Sequence, residues 1–68
     1  SPIFASLFMK KYIVQTRAAA DKPWRDHEAY RSLADARNTV AAILRKSPKA
    51  QVRIFNRVTQ QVVQPPRK

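Results

Sequence analysis

The period of the apolar pattern changes twice along this chain, and that double switch limits the fold more than any other feature. Over residues 10–17, Tyr12, Val14 and Thr16 alternate with Lys11, Ile13, Gln15 and Arg17. A period of two places successive side chains on opposite faces of a strand, and β-branched and aromatic residues favour that geometry. From Leu33 onward the apolar residues recur instead as Leu33, Ala36, Val40, Ile43 and Leu44. Those offsets build one stripe on a helix. Alternation then returns over residues 51–58: Val52, Ile54 and Val58 face one way, with Asn56 among them, and Gln51, Arg53, Phe55 and Arg57 face the other. One helical stripe can cover one face of a sheet. The pattern therefore predicts an α+β fold, a small two-layer sandwich with one helix on a three- or four-stranded antiparallel sheet, in the order β-β-α-β-β.

Local signals set the boundaries. Ser32 is a good N-cap, and Asp35 stands where a capping box carries its acid, favouring the positive end of the helix dipole. Arg45 and Lys46 suit the negative end, and Ser47-Pro48 stops the helix, since the residue before Pro is driven out of the α region. A helix over 33–46 is predicted. Pro23 closes the connection after the first strand. Residues 24–30 read as a short polar edge strand, with Trp24, Asp26, Glu28 and Tyr30 on one face and Arg25, His27 and Ala29 on the other; a loop held down by Trp24 and Tyr30 is the alternative. In this reading Trp24 staples the edge onto the core, with an exposed binding hot spot as the alternative. Thr59-Gln60 is expected to turn, and residues 61–64 to return as a last strand. The expected core is Tyr12, Val14, Leu33, Val40, Ile43, Leu44, Val52, Ile54 and Val58.

Residues 10–64 are expected to form the single domain, preceded by an extension of residues 1–9 and followed by a basic tail, residues 65–68. Met9-Lys10-Lys11 reads like a translation start. Phe4, Leu7 and Phe8 in the extension lie at helical spacing and are candidates to dock over Phe55. The extension is apolar but has no basic residue ahead of its apolar stretch, unlike a signal peptide. No apolar run reaches the roughly 18 residues of a membrane-spanning helix. No membrane partner is expected, because the polar face of the helix is mixed and its apolar stripe is needed for the core.

With 68 residues the core must be small, and the absence of Cys removes disulfides and thiolate metal sites as staples. Oligomerisation, a homodimer included, or partner binding are the remaining routes to added stability. Gly is absent as well. That excludes Gly-rich phosphate loops, and any turn needing a positive φ must use Asn, Asp, Lys or Gln. His27 is the single histidine, and the neighbouring Asp26 and Glu28 point away from it if the segment is a strand. No nucleophile, metal-ligand set or cofactor motif emerges, so the chain reads as a binder, not an enzyme, and no cofactor is expected.

Fourteen Lys and Arg against four Asp and Glu give a net charge of +10. So one-sided a surface attracts polyanions and acidic protein faces. If the first and third strands are neighbours, their outward residues merge into one surface carrying Lys11, Ile13, Arg17, Arg53, Phe55 and Arg57. Arg53, Phe55 and Arg57 would project together, an aromatic ring between guanidinium groups, which is a pattern that stacks a base and holds its phosphates. The same ring would serve as a protein-binding anchor. A second basic patch, Arg45, Lys46 and Lys49, surrounds the helix end.

The order of Tyr12-Ile13-Val14, an aromatic edge segment, the helix opening Ser32-Leu33-Ala34-Asp35-Ala36 and Val52-Arg53-Ile54 resembles small phage-encoded inhibitors of host machinery. Among them are inhibitors of bacterial RNA polymerase and anti-CRISPR proteins of a strand-helix-strand layout. The resemblance covers about residues 10–64 and carries over no site residue. It implies a compact, non-catalytic protein in the bacterial host cytoplasm that occludes a site on a host protein or nucleoprotein complex with an acidic surface. Direct binding of nucleic acid by the basic and aromatic sheet face is the alternative expectation.

Overall fold

The computed structural model describes residues 10–65. Five elements follow in order: β1 (Tyr12–Arg17), β2 (Arg25–Tyr30), α1 (Leu33–Lys46), β3 (Gln51–Asn56) and β4 (Gln61–Gln64). The strands form one antiparallel sheet in the order β2-β1-β3-β4, and α1 packs on one of its faces. This is the α+β sandwich that the two changes of period predict.

Helix α1 begins where its cap dictates. The Ser32 side chain accepts from the Asp35 backbone N–H at 3.2 Å, with Ser32 itself in extended geometry at φ −116°, ψ 142°. One otherwise orphaned amide of the first turn is thereby satisfied. At the other end the Ser47 N–H donates to the Ile43 carbonyl at 2.8 Å, and Pro48 follows. Ala36 and Val40 are the buried residues of the helix. Ala36 lies fully out of solvent, and its lack of bulk lets the helix backbone approach the sheet.

The core joins Val14, Ala36, Val40, Val52 and Ile54, with Tyr12, Tyr30, Leu33, Ile43, Leu44 and Ala50 packed around them. Eight of the nine expected core residues belong to this set. Val58 does not. It is 43% exposed, because β3 ends at Asn56 instead of running to residue 58. The Asn56 Oδ1 accepts from the amides of Val58 at 2.9 Å and Thr59 at 3.2 Å. These bonds offer the backbone a turn in place of a sheet ladder. They also satisfy the one buried polar side chain of the described core, since Asn56 is 9% exposed. Gln60 then takes φ 59°, so in a chain without glycine a glutamine occupies the left-handed position that returns the chain into β4.

Strand β2 forms the expected edge, but its pairing with β1 contains a bulge. Tyr30, Ala29 and Glu28 pair with Tyr12, Ile13 and Val14; Asp26 and Arg25 then pair with Gln15 and Thr16, and His27 is left without a partner. The edge is tied to the helix by a short relay. Thr39 Oγ1 donates to the Tyr30 hydroxyl, which donates to Glu28 Oε2, both at 2.7 Å. The Thr39 hydrogen bond pulls the Tyr30 phenol pKa down, but the Glu28 acceptor, burial and the charges of Glu28 and Asp35 together hold it above its ordinary value.

Candidate functional site

The sheet has two unlike faces. The inner face lies under α1. On the outer face the pairing of β1 with β3 aligns Ile13 with Phe55, Gln15 with Arg53 and Arg17 with Gln51. The expected merging of outward residues on neighbouring strands therefore holds in register for Ile13, Arg17, Arg53 and Phe55. Ile13 is only 8% exposed, however, so it is a buried member of that face and not part of an exposed surface.

Two side-chain hydrogen bonds cross the strands here. Arg53 Nε donates to Gln15 Oε1 at 2.7 Å, and Arg17 Nη2 donates to Gln51 Oε1 at 3.1 Å. Each guanidinium is thus oriented by a neutral amide. Gln15 is held in turn by its own donation to Asp26 Oδ1 at 2.9 Å. A carboxylate partner would cancel the charge of an arginine, whereas an amide fixes its direction and leaves the charge for a ligand. Burial, and then the charge of Arg17, lower the pKa of Arg53. The two cations thus share one field.

The bulge in β2 brings a third member to this group. With His27 unpaired, Asp26 joins Gln15 on the outer face while Glu28 and Tyr30 stay on the helix side. Trp24 follows Asp26 to the outer face. Its ring centroid lies 4.3 Å from the guanidinium carbons of both Arg17 and Arg53. Attraction between each cation and the ring offsets part of the repulsion between the two arginines, at about 0.5–2 kcal/mol per contact according to exposure. Arg53 also lies 5.8 Å from the Phe55 centroid. Trp24 is half-buried and forms no part of the helix-side core. The expectation that it staples the edge strand onto the core is therefore corrected: it belongs to the arginine cluster, giving that face a second aromatic ring.

The other expected site residues are distributed differently. Arg57 is the first residue of the turn after β3, and its amide donates to the Lys11 carbonyl at 3.0 Å, which carries the β1–β3 register one pair further, to Lys11 opposite Arg57. The Lys11 ammonium lies 5.3 Å from the ring of Tyr12, a residue packed on the helix side. Arg45, Lys46 and Lys49 are exposed at the end of α1, on the layer opposite the arginine cluster. The docking of Phe4, Leu7 and Phe8 over Phe55, and the basic tail beyond Pro65, lie outside the described residues.

Gln15 and Gln51 were the members missed by sequence reasoning, and Trp24 was placed as a staple of the edge ahead of its alternative as an exposed binding residue. Alternation already put Gln15 on the face of Arg17, and Gln51 on the face of Arg53. What the sequence lacks is the strand register that brings each amide to the other strand's arginine. Among the described residues, no three His, Asp or Glu side chains converge as a metal site, and no helix is long and apolar enough to cross a membrane. Comparison with protein families, curated proteins and solved structures gives no match for this chain.

Proposed function

We propose that the protein binds single-stranded nucleic acid on the outer face of its sheet. The observation that carries this reading is the cluster of Trp24, Arg53 and Phe55 with Arg17, in which both arginines are oriented by glutamine amides. Two aromatic rings beside fixed cations suit a chain of stacked bases joined by phosphates. Each base stacked on a ring is worth about 1–3 kcal/mol, and the guanidinium groups take phosphate oxygens. The whole-chain charge of +10 adds a field that raises the encounter rate.

Trp24 is the single tryptophan and serves as its own reporter. Titration with oligothymidylate should quench its fluorescence, and log affinity should fall with log salt at a slope of about −0.7 per phosphate neutralised. Absence of any quench or retained oligonucleotide between roughly 50 and 200 mM salt would overturn the proposal.

A second reading is docking on an acidic host protein or nucleoprotein complex, the occlusion that the resemblance implies. One observation favours it. Val58, Val62 and Val63 are 43%, 41% and 38% exposed along the β3–β4 turn and the edge strand β4, and Val62 pairs with Phe55. An apolar strand edge beside the Phe55 ring suits strand addition by a protein partner. Capture of one protein from nuclease-treated bacterial lysate, lost on Val62→Lys but retained on Phe55→Ala, would favour this edge over the nucleic-acid face.

A further inference from the structure

The end of the sheet nearest the C-terminus of α1 contains a cleft of about 600 Å³, lined by Thr16, Ala18, Pro23, Ile43, Ser47 and Ala50 together with the cations Arg17, Lys22 and Arg25 and with His27. It is separate from the Trp24–Phe55 surface, although Arg17 lies at the boundary of both. Its volume is in the range of small-molecule sites, roughly 300–1,000 Å³. Its make-up is two-sided: an apolar part from Ile43, Ala50, Ala18 and Pro23, and a cationic rim without a single carboxylate among its lining residues.

The β2 bulge accounts for that absence. Asp26 stands between Arg25 and His27 in sequence, and its carboxylate is held on the outer face by Gln15. Arg25 and His27 line the cleft, and the acid between them does not. A bulge re-aims side chains in this way, and here it sorts one acid from two bases. The end of the helix dipole opposes an anion at this place with about half an elementary charge. Lys22 and Arg25 each supply a full positive charge, and the Ile43 carbonyl is already engaged by the Ser47 amide, so the cationic rim prevails.

We propose that this cleft binds a phosphate monoester carried on a group of nucleotide size. The apolar part would receive the base or sugar, and Lys22 and Arg25 the dianionic phosphate, which accepts charge-assisted hydrogen bonds more strongly than the diester links of a chain. Two sources share that chemistry: a free mononucleotide, or the terminal phosphate of a strand lying on the outer face. The site itself does not rest on the single-strand reading; only the second source does.

Two-dimensional amide NMR on the full chain tests it, with thymidine 5′-monophosphate, thymidine and inorganic phosphate as probes. The monophosphate should shift the amides of Lys22, Arg25 and His27 in a saturable manner and more tightly than either fragment. In parallel, an oligothymidylate with a 5′-phosphate is compared with its 5′-hydroxyl counterpart. A preference of about tenfold, the worth of one charge-assisted hydrogen bond, identifies the strand end as the source. Saturation by the monophosphate with equal oligonucleotide affinities identifies the free nucleotide. Both effects should vanish in Lys22→Gln/Arg25→Gln, whose substituted side chains are exposed, and both should survive in Arg45→Gln. Repeating the monophosphate titration in Phe55→Ala separates the cleft from the outer face, since loss of oligonucleotide binding there leaves the cleft shifts intact. No cleft shift with the monophosphate together with equal oligonucleotide affinities, or shifts unchanged in the double variant, overturns the proposal.

Discussion

The two faces of the sheet are made by the same strands, one residue out of phase, and they solve opposite problems. On the inner face Val14, Val52 and Ile54 meet α1 at 0%, 3% and 0% exposure, and the polar exception, Asn56, spends its side-chain oxygen on the turn that follows. On the outer face Gln15, Arg17, Arg53 and Phe55 remain half-exposed, and the arginines are aimed by amides. The inner face lowers free energy by removing apolar area from water, about 25 cal/mol per Å². The outer face holds like charges together, which folding alone does not require. Arrangement that costs stability and fixes cations in place is what a binding surface needs.

The sharpest way to break this comparison is to place a charge on the inner face. Ile54→Asp buries a carboxylate with no partner, at a cost of several kcal/mol. A chain of this length holds on the order of 3–10 kcal/mol in total, so the variant should be unfolded by circular dichroism at 25 °C. A folded Ile54→Asp protein would mean that the face assignment of β3 is inverted.

Removing the ring of the outer face should do the reverse. Trp24→Ala should weaken oligothymidylate binding by about 1–3 kcal/mol, the value of one stacked base, and Phe55→Ala by a similar amount. Anisotropy of a labelled oligonucleotide measures both, and each variant should keep a cooperative thermal transition. A strongly lowered melting temperature in Trp24→Ala, with unchanged affinity below it, would make the ring a structural clamp for Arg17 and Arg53.

Asn56→Ala tests the polar exception on the inner face. The amides of Val58 and Thr59 lose their acceptor; the exposed turn lets water replace it in part, but the buried site of Asn56 limits that replacement. The expected cost is about 1–2 kcal/mol, read as a lower urea midpoint at unchanged slope. Oligonucleotide affinity should stay the same, which separates this residue from the outer face a few ångströms away.

These contrasts also explain what was legible in the sequence. Helix α1, its Ser32 cap and the strands β1 and β3 follow from a hydrophobic pattern that names its own buried face, and so does the choice of Val14, Val40, Val52 and Ile54 for the core. Trp24 was misplaced because residues 25–28 are Arg, Asp, His and Glu. A strand segment with no apolar residue has no face to pin its register. The bulge at His27 could enter without a penalty visible in the pattern, and it moved Trp24 and Asp26 to the opposite face. Val58 failed for a different reason: the apolar alternation continues past Asn56, but a local side-chain bond to the backbone ended the strand first. The amides of Gln15 and Gln51 are visible as residue types, and only the pairing of β1 with β3 shows which arginine each one holds.

The smallest effect carries the finest distinction, between charge and aim. Gln15 has no charge, yet it accepts from Arg53 Nε and donates to Asp26. In Gln15→Ala the Arg53 guanidinium keeps its charge and loses its direction, and Asp26 is released to approach it. If arginine charge alone drives binding, the variant should bind as the parent does. If aim matters, affinity should fall by roughly the net worth of one hydrogen bond, about 0.5–1.5 kcal/mol, with the salt slope unchanged because the count of neutralised phosphates is the same. Arg53→Ala provides the contrast, since it should lower the slope by about 0.7 for a single strand. Release of Asp26 has its own signature: should Asp26 pair with Arg53, the Gln15→Ala slope would fall toward that of Arg53→Ala, and adding Asp26→Asn would restore it. A lowered affinity at constant slope assigns Gln15 to positioning, and equal affinity at constant slope would reduce the outer face to an undirected patch of charge.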